Sequence, residues 1–370
     1  MSTRPSTLDF LKTEVASGSA LGLAAVMAVI VANSPLSDAY FHWIHSEHTL
    51  AIGPYIERHS VLDWIKEGLM AVFFFVVGLE IKYEVLRGEL SSLKKLGLPV
   101  FAALGGMIAP ALVFLAFNMG DGGIPRGWPI PTATDIAFAV AALAVAAPRL
   151  PSSLRIFLLT LAIADDLGAV ALIAILFSNK LNLMAVLGAL VVLALMWVMG
   201  RTKFKGVSMG SGVLYGIGFA VVWAFALKSG INTSLAGVAA AMTVPIAARR
   251  PGEEGMVKHF LEEMHPWVAW GILPLFAFAA AGFSFGAMQV NHLIAPLPLG
   301  ITMGLLIGKP VGVMAACLLA VKTGIGHRPT GATWFELFGV SLLCGVGFTM
   351  SLFIGGLAFR SGEAAAQVQL

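Results

Sequence analysis

Eleven apolar stretches, near 16–33, 63–86, 96–118, 130–147, 154–177, 182–199, 208–227, 231–248, 266–285, 296–320 and 334–358, fill most of this 370-residue chain. Each is close to the roughly 20 residues that a helix needs to cross a bilayer. Lipid offers no hydrogen bonds to a bare backbone, so such a chain can only bundle helices whose amide groups are satisfied internally. The composition agrees: 58% of residues are hydrophobic and 12% charged, about half the usual charged share, and the mean hydropathy is +0.88. Disordered, collagen-like and water-soluble enzyme classes are excluded. The expectation is an all-α, polytopic integral membrane protein.

The breaks between the stretches are rich in Pro, Gly and charge, as at Pro148-Arg149-Leu150-Pro151 and Arg249-Arg250-Pro251-Gly252-Glu253-Glu254. None is long enough for a second domain, so residues 1–370 are expected to form a single transmembrane domain. With the N-terminus in the cytoplasm, sixteen Lys and Arg fall on that side and six on the other, with Lys309 inside a span. The positive-inside rule therefore predicts a cytoplasmic N-terminus. Met1 to Val15 carries Arg4, Asp9, Lys12 and Glu14 without an apolar core followed by a cleavage site, so the first span is expected to direct insertion. The formal charge of +3 is small and scattered, which argues against a nucleic-acid partner.

The longest external connection, 34–62, holds His42, His45, His48 and His59 beside Tyr40, Trp43 and Tyr55, with Gly53-Pro54 as turn chemistry. The histidine spacings match no metal-ligand pattern. An extramembrane periplasmic hairpin used for homodimer contact is the expectation. Cys317 and Cys344 lie in apolar segments without a partner motif and read as small buried hydrophobes.

Charges inside the apolar stretches carry the functional signal. Of the carboxylates only Asp135, Asp165 and Asp166 fall well inside a span, and Lys309 is the one base there; Glu80, Glu84, Glu262, Glu263 and Glu336 sit at segment ends. Each intramembrane charge costs roughly 2.5–3.5 kcal/mol at a helix centre unless it pairs, hydrates or binds an ion. Asp165 and Asp166 are adjacent, so on a helix they point about 100° apart and can do different work, one facing a cation and the other a partner helix. Two acids so close cannot both ionise cheaply, which suits exchange of a proton for a metal cation. Lys309 requires an anion, either one of the three aspartates or the carbonyl end of an interrupted helix. Its surroundings, Gly304-Leu305-Leu306-Ile307-Gly308-Lys309-Pro310, lack the spacing and the Ser or Thr of a phosphate loop. Gly304/Gly308/Gly312 and Gly212/Gly216 read as packing faces.

Two spans read as broken. Pro129-Ile130-Pro131 precedes Thr132-Ala133-Thr134-Asp135 in one, and Cys344-Gly345-Val346-Gly347-Phe348-Thr349-Met350-Ser351 interrupts the other. Interrupted segments at corresponding places in two halves are the sequence mark of a secondary transporter built on inverted repeats. An intramembrane aspartyl protease would need its two acids on separate facing helices. A passive channel would need a ring of acids.

Several motifs, taken together, make the chain resemble the NhaA-type Na+/H+ antiporter family from about Thr13 to the C-terminus. They are Gly78-Leu79-Glu80-Ile81-Lys82, Pro131-Thr132-Ala133-Thr134-Asp135-Ile136-Ala137-Phe138, Ala164-Asp165-Asp166, His265-Pro266-Trp267, Leu273-Pro274-Leu275-Phe276-Ala277-Phe278-Ala279, Gly308-Lys309-Pro310 and Gly345-Val346-Gly347-Phe348-Thr349-Met350-Ser351. The resemblance implies a helical bundle with inverted repeats and two broken helices that cross near the membrane centre. Eleven spans are present, and Arg360–Leu370 stops where the family's twelfth helix would begin, so a truncated last helix is expected.

By the same resemblance Asp165 and Asp166 bind the transported Na+ or proton, with Asp165 also pairing with Lys309. Thr134, Asp135 and Lys309 compensate the charged ends of the broken helices, and Glu80, Glu84 and Glu262 are pH-regulation candidates. The implied activity is not enzymatic: it is electrogenic, pH-regulated exchange of cytoplasmic Na+ or Li+ for external H+ across a bacterial inner membrane, with no cofactor beyond the ions themselves. A sodium-coupled transporter of another solute with the same fold is the alternative. Two positions depart from the family pattern: Asn232 stands where a histidine occurs, and Tyr83 where an arginine often follows the Glu-x-Lys segment.

Overall fold

The computed structural model describes residues 7–52, 55–88, 91, 93–147, 150–177, 181–202, 209–246, 255–287 and 294–359. The Gly53-Pro54 turn, Pro148-Arg149, Arg249–Glu254 and the expected start of a last helix at Arg360–Leu370 lie outside the described residues. In chain order the helices are α1 (Thr7–Ala32), α2 (Ser37–His45), α3 (Val61–Trp64), α4 (Met70–Arg87), α5 (Leu93–Asn118), α6 (Ile136–Ala146), α7 (Ser152–Leu176) and α8 (Leu183–Thr202). They continue with α9 (Met209–Ser229), α10 (Thr233–Thr243), α11 (Met256–Trp267), α12 (Leu273–Ala280), α13 (Pro296–Met303), α14 (Lys309–Lys322), α15 (Trp334–Cys344) and α16 (Phe348–Ala358). One antiparallel hairpin, β1 (Glu47–Ile52) with β2 (Tyr55–Ser60), interrupts the helical order, Glu47 facing Ser60 and Ile52 facing Tyr55. The all-α expectation therefore gains a small β element in the 34–62 connection.

Six of the eleven expected spans contain single apolar stretches long enough to cross: Val15–Ala32, Gly97–Asn118, Ser152–Leu176, Leu183–Arg201, Gly212–Ser229 and Pro296–Lys322. Two more are bent pairs, with a 46° bend between Pro125–Thr132 and α6 and a 42° bend between α15 and α16. The remaining three are built differently. A π-helical turn, Ile65–Leu69, leads into α4; α10 has only 11 residues; and a second π turn, Val268–Ile272, joins α11 to α12. The chain is a multi-pass helical membrane protein.

The described residues cluster into two compact units. The first comprises 1–40, 92–169 and 277–370. Its core joins α5, α7, α14 and α15 through Leu98, Leu158, Leu161, Val313, Leu337 and Val340. α5 runs along α14, and their backbones meet at Gly105 and Gly312, where a Cβ on either glycine would collide with the other's carbonyl oxygen. Only glycine allows that approach. Gly304 and Gly308 likewise press on Pro131 and Pro110, so the Gly304/Gly308/Gly312 series is a packing face. In the other pair a Cβ on Gly212 would meet the Phe260 ring at 3.8 Å, while one on Gly216 would meet no described heavy atom within 4 Å.

The second unit, 41–91 and 170–276, packs α4 on α10 and α8 on α9 around Phe75, Leu79, Met196, Tyr215, Ala240 and Phe260. Lys82 on α4 donates from Nζ to the carbonyls of Met242 and Val244, closing the C-terminal end of α10. Asn232 caps the other end, its side chain accepting from Ser234 N at 3.0 Å.

Candidate functional site

The site belongs to the first unit and begins with proline chemistry. Pro125 and Pro131 each fall in a short 3-10 turn, Pro125–Gly127 and Ile130–Thr132. A 3-10 turn costs proline little because the N–H it lacks would not have been bonded there. The chain then extends through Ala133 and re-enters a helix at Ile136 with Asp135 as N-cap, its Oδ1 accepting from Phe138 N at 3.0 Å. The second break begins from a capping box: Thr333 accepts from Glu336 N at 3.2 Å and its own N–H donates to Glu336 Oε2 at 2.7 Å. That helix, α15, ends at Cys344, and Gly345-Val346-Gly347 carries the chain to α16.

These breaks leave carbonyls and amides without helical partners at membrane depth, and they satisfy one another. Asp135 N donates to Val346 O at 2.7 Å. Asp135 Oδ2 accepts from Thr349 N at 3.1 Å and from the Thr349 hydroxyl. Ser351 Oγ donates to Ile130 O at 3.2 Å. One carboxylate thus serves the N-terminal amides of both α6 and α16, where helix dipoles favour negative charge.

Lys309 follows a third π turn, Gly304–Gly308, and precedes Pro310. Pro310 lacks an N–H and its ring crowds the carbonyl four residues earlier, which the π turn accommodates. The Lys309 side chain is fully buried, with Nζ 2.6 Å from Asp165 Oδ2 and donating also to Thr132 O. Thr134 completes the cluster. Its single hydroxyl hydrogen can serve Asp165 Oδ2 at 2.7 Å or the Cys344 carbonyl at 2.9 Å. Asp165 and Lys309 are both 0% exposed, so each would be costly alone, and the pair is tolerable only because it is hydrogen-bonded.

Both kinds of partner expected for Lys309 are present: an aspartate and a carbonyl at a helix break. Asp165 Oδ1 accepts no hydrogen bond among the described residues, which leaves lone pairs for a further ligand. Asp166, next along α7, is also buried at 3% exposure. No three His, Cys, Asp or Glu side chains converge as a metal site among the described residues. A cation held by Asp165 and Asp166 would therefore take its other ligands from hydroxyls, carbonyls or water, the oxygen ligands that suit a hard cation.

The three glutamates singled out for pH regulation belong to the second unit. Glu80 lies 3.7 Å from His265, and exposed Glu262 pairs with Lys258 at 3.4 Å, one helical turn away; Glu84 is half-exposed. Tyr83 packs against the apolar cluster of that unit. Thr349, Val346 and the Cys344 and Thr132 carbonyls are the site groups that the sequence reading passed over. A hydroxyl in the first turn after a glycine break was the available signal for Thr349; backbone carbonyls leave none.

A family model described as Na+/H+ antiporter 1 matches residues 8–370. The chain belongs to the Na+/H+ antiporter 1 family. It is 48% identical over 360 residues to a Na+/H+ antiporter NhaA of Bordetella parapertussis, covering 96% of this chain and 89% of the relative. A Na+/H+ antiporter NhaA 1 of Novosphingobium aromaticivorans is 47% identical over 96% of this chain and 84% of its own. A Na+/H+ antiporter NhaA of Pasteurella multocida is 44% identical over 97% and 93%. In this member of the Na+/H+ antiporter 1 family, the two breaks, the acid pair and Lys309 all fall within the matched region.

Proposed function

We propose that the chain is a secondary transporter that exchanges Na+ for H+ through Asp165 and Asp166, with Thr134, Asp135 and Lys309 compensating charge at the two helix breaks. The observation that carries the reading is a buried ion pair, Lys309 with Asp165, lying against the break that Asp135 bridges to its counterpart. A dry Asp165–Lys309 pair is a poor source of stability, since desolvation offsets most of its attraction. It makes sense as one state of a cycle. When a cation occupies the two ionised carboxylates, Lys309 loses its partner, gives up its proton and keeps the Thr132 carbonyl; when the cation leaves, one proton returns to Lys309, which re-pairs with Asp165, and a second neutralises Asp166, so two protons replace one cation. Thr134 suits either protonation state of Asp165, since its hydroxyl can donate to an ionised Asp165, or accept from a protonated one while donating to the Cys344 carbonyl.

The names of the relatives support Na+ and H+ as the ions moved. We extend the reading to Li+, electrogenic exchange, regulation by pH through Glu80, Glu84 and Glu262, a bacterial inner membrane with the N-terminus in the cytoplasm, and a homodimer formed through the 34–62 connection. The test is sodium-driven recovery of a quenched pH dye in everted vesicles containing the chain. Recovery on adding NaCl or LiCl but not KCl is the expected result. Sodium-dependent uptake of a labelled organic solute without recovery of the dye favours a sodium-coupled transporter of that solute, and no recovery with any cation overturns the reading.

A further inference from the structure

We infer that Thr349 is a positioning residue of the exchange cycle: its side-chain hydroxyl fixes the Asp135 carboxylate across the two breaks, so that α6 and α16 keep a common register while the ion site turns over. The inference rests on the proposed exchange activity.

Asp135 is held from both sides of the opposite break. Its N–H reaches Val346, before α16 begins, and its Oδ2 takes the N–H and the hydroxyl of Thr349, the second residue of α16. Asp135 and Thr349 are 2% and 1% exposed, so water does not replace a missing donor there without opening the core. Of these contacts only the Thr349 hydroxyl can be removed by changing a side chain while the Asp135 carboxylate and both backbones stay in place. Without it, Oδ2 keeps the Thr349 amide and Oδ1 the Phe138 amide, and the carboxylate loses the one side-chain donor that reaches it across the two breaks. The joint between the helices then loosens.

Asp165 is bound by Lys309 and Thr134 and not by Thr349. Loss of the hydroxyl should therefore lower the maximal exchange rate and leave the half-saturating sodium concentration nearly unchanged, the split expected when an interaction matters to turnover rather than to ion binding.

The experiment reconstitutes the wild type, Thr349→Val, Thr349→Ala, Thr349→Ser, Asp135→Asn and the Asp135→Asn/Thr349→Val double variant, and measures rate against sodium. Thr349→Val and Thr349→Ala should each be slower by about tenfold, the effect of losing a hydrogen bond to a charged group, with half-saturation within about twofold of the wild type. Thr349→Ser, which keeps the hydroxyl, should recover most of the rate. In the Asp135→Asn background, Thr349→Val should add little, because the two act as a unit. A Thr349→Val or Thr349→Ala rate equal to the wild type, a Thr349→Ser as slow as Thr349→Val, or a full additional loss in the double variant would overturn the role. Should Thr349→Val fail to fold, Thr349→Ala and Thr349→Ser decide the matter between them. A wild type that moves no protons overturns the functional reading and this role with it; an active wild type beside an equally active Thr349→Val overturns this role alone.

Discussion

At the scale of single residues, the chain concentrates its cost in few places. Lys309 and Asp165 are fully buried and 2.6 Å apart, and removing one partner strands the other's charge. Lys309→Met should lower stability by about 3–5 kcal/mol, whereas Lys309→Met combined with Asp165→Asn should recover most of that loss. Thermal unfolding in detergent checks it; equal melting temperatures for the single and double variants would contradict the pairing. Tyr40 gives a pH prediction outside the spans. It donates to Phe278 O at 2.6 Å, and burial, opposed by the Gly282 backbone, pushes its phenol from 10.0 up to about 12. A raised folded pKa means that the contribution is complete below pH 10 and is lost as pH rises towards 12. Tyr40→Phe should cost about 1 kcal/mol at pH 8, and its gap from the wild type should close across that alkaline window.

Charge cost made Asp135, Asp165, Asp166 and Lys309 legible before any fold was known, because lipid penalises each of them. Their partners were less so. That Lys309 chooses Asp165 and Thr132 O, and that Asp135 reaches Thr349, depends on how two interrupted segments far apart in sequence come together. Hydropathy has no information on that distance.

At the scale of elements, interruptions matter more than helices. Pro and Gly announced both bent pairs, but the π turns at Ile65–Leu69, Val268–Ile272 and Gly304–Gly308 carry no comparable signature. Two of them lie just before a proline, Pro274 and Pro310, whose ring the wider turn accommodates, but Ile65–Leu69 contains Lys66 and Glu67 and no proline follows it in α4, so no one pattern marks all three. The short α10 was hidden for a related reason: hydropathy over 231–248 reads as a span, while the helix ends at Thr243, where Lys82 meets its last carbonyls. A lysine at a helix C-terminus is favourable in charge and in hydrogen bonding. Lys82→Met should destabilise the second unit by about 1–2 kcal/mol, and Lys82→Arg by less. Hydrogen exchange of α10 amides is the direct readout, and protection of α10 unchanged in Lys82→Met would show that the cap is idle.

At the scale of the whole molecule, the aspartates and Lys309 fall in one compact unit and the glutamates singled out for pH regulation in the other. The central claim is that the acid pair on α7 is the place where Na+ and H+ are exchanged. The most direct test is sodium-driven proton movement by Asp166→Asn in everted vesicles, with insertion verified by the amount of protein in the membrane. The amide keeps the side chain's shape while removing both the cation's charge partner and the titrating proton, so the account predicts normal insertion and no sodium-dependent recovery of the dye. Exchange at the wild-type rate by Asp166→Asn would contradict it.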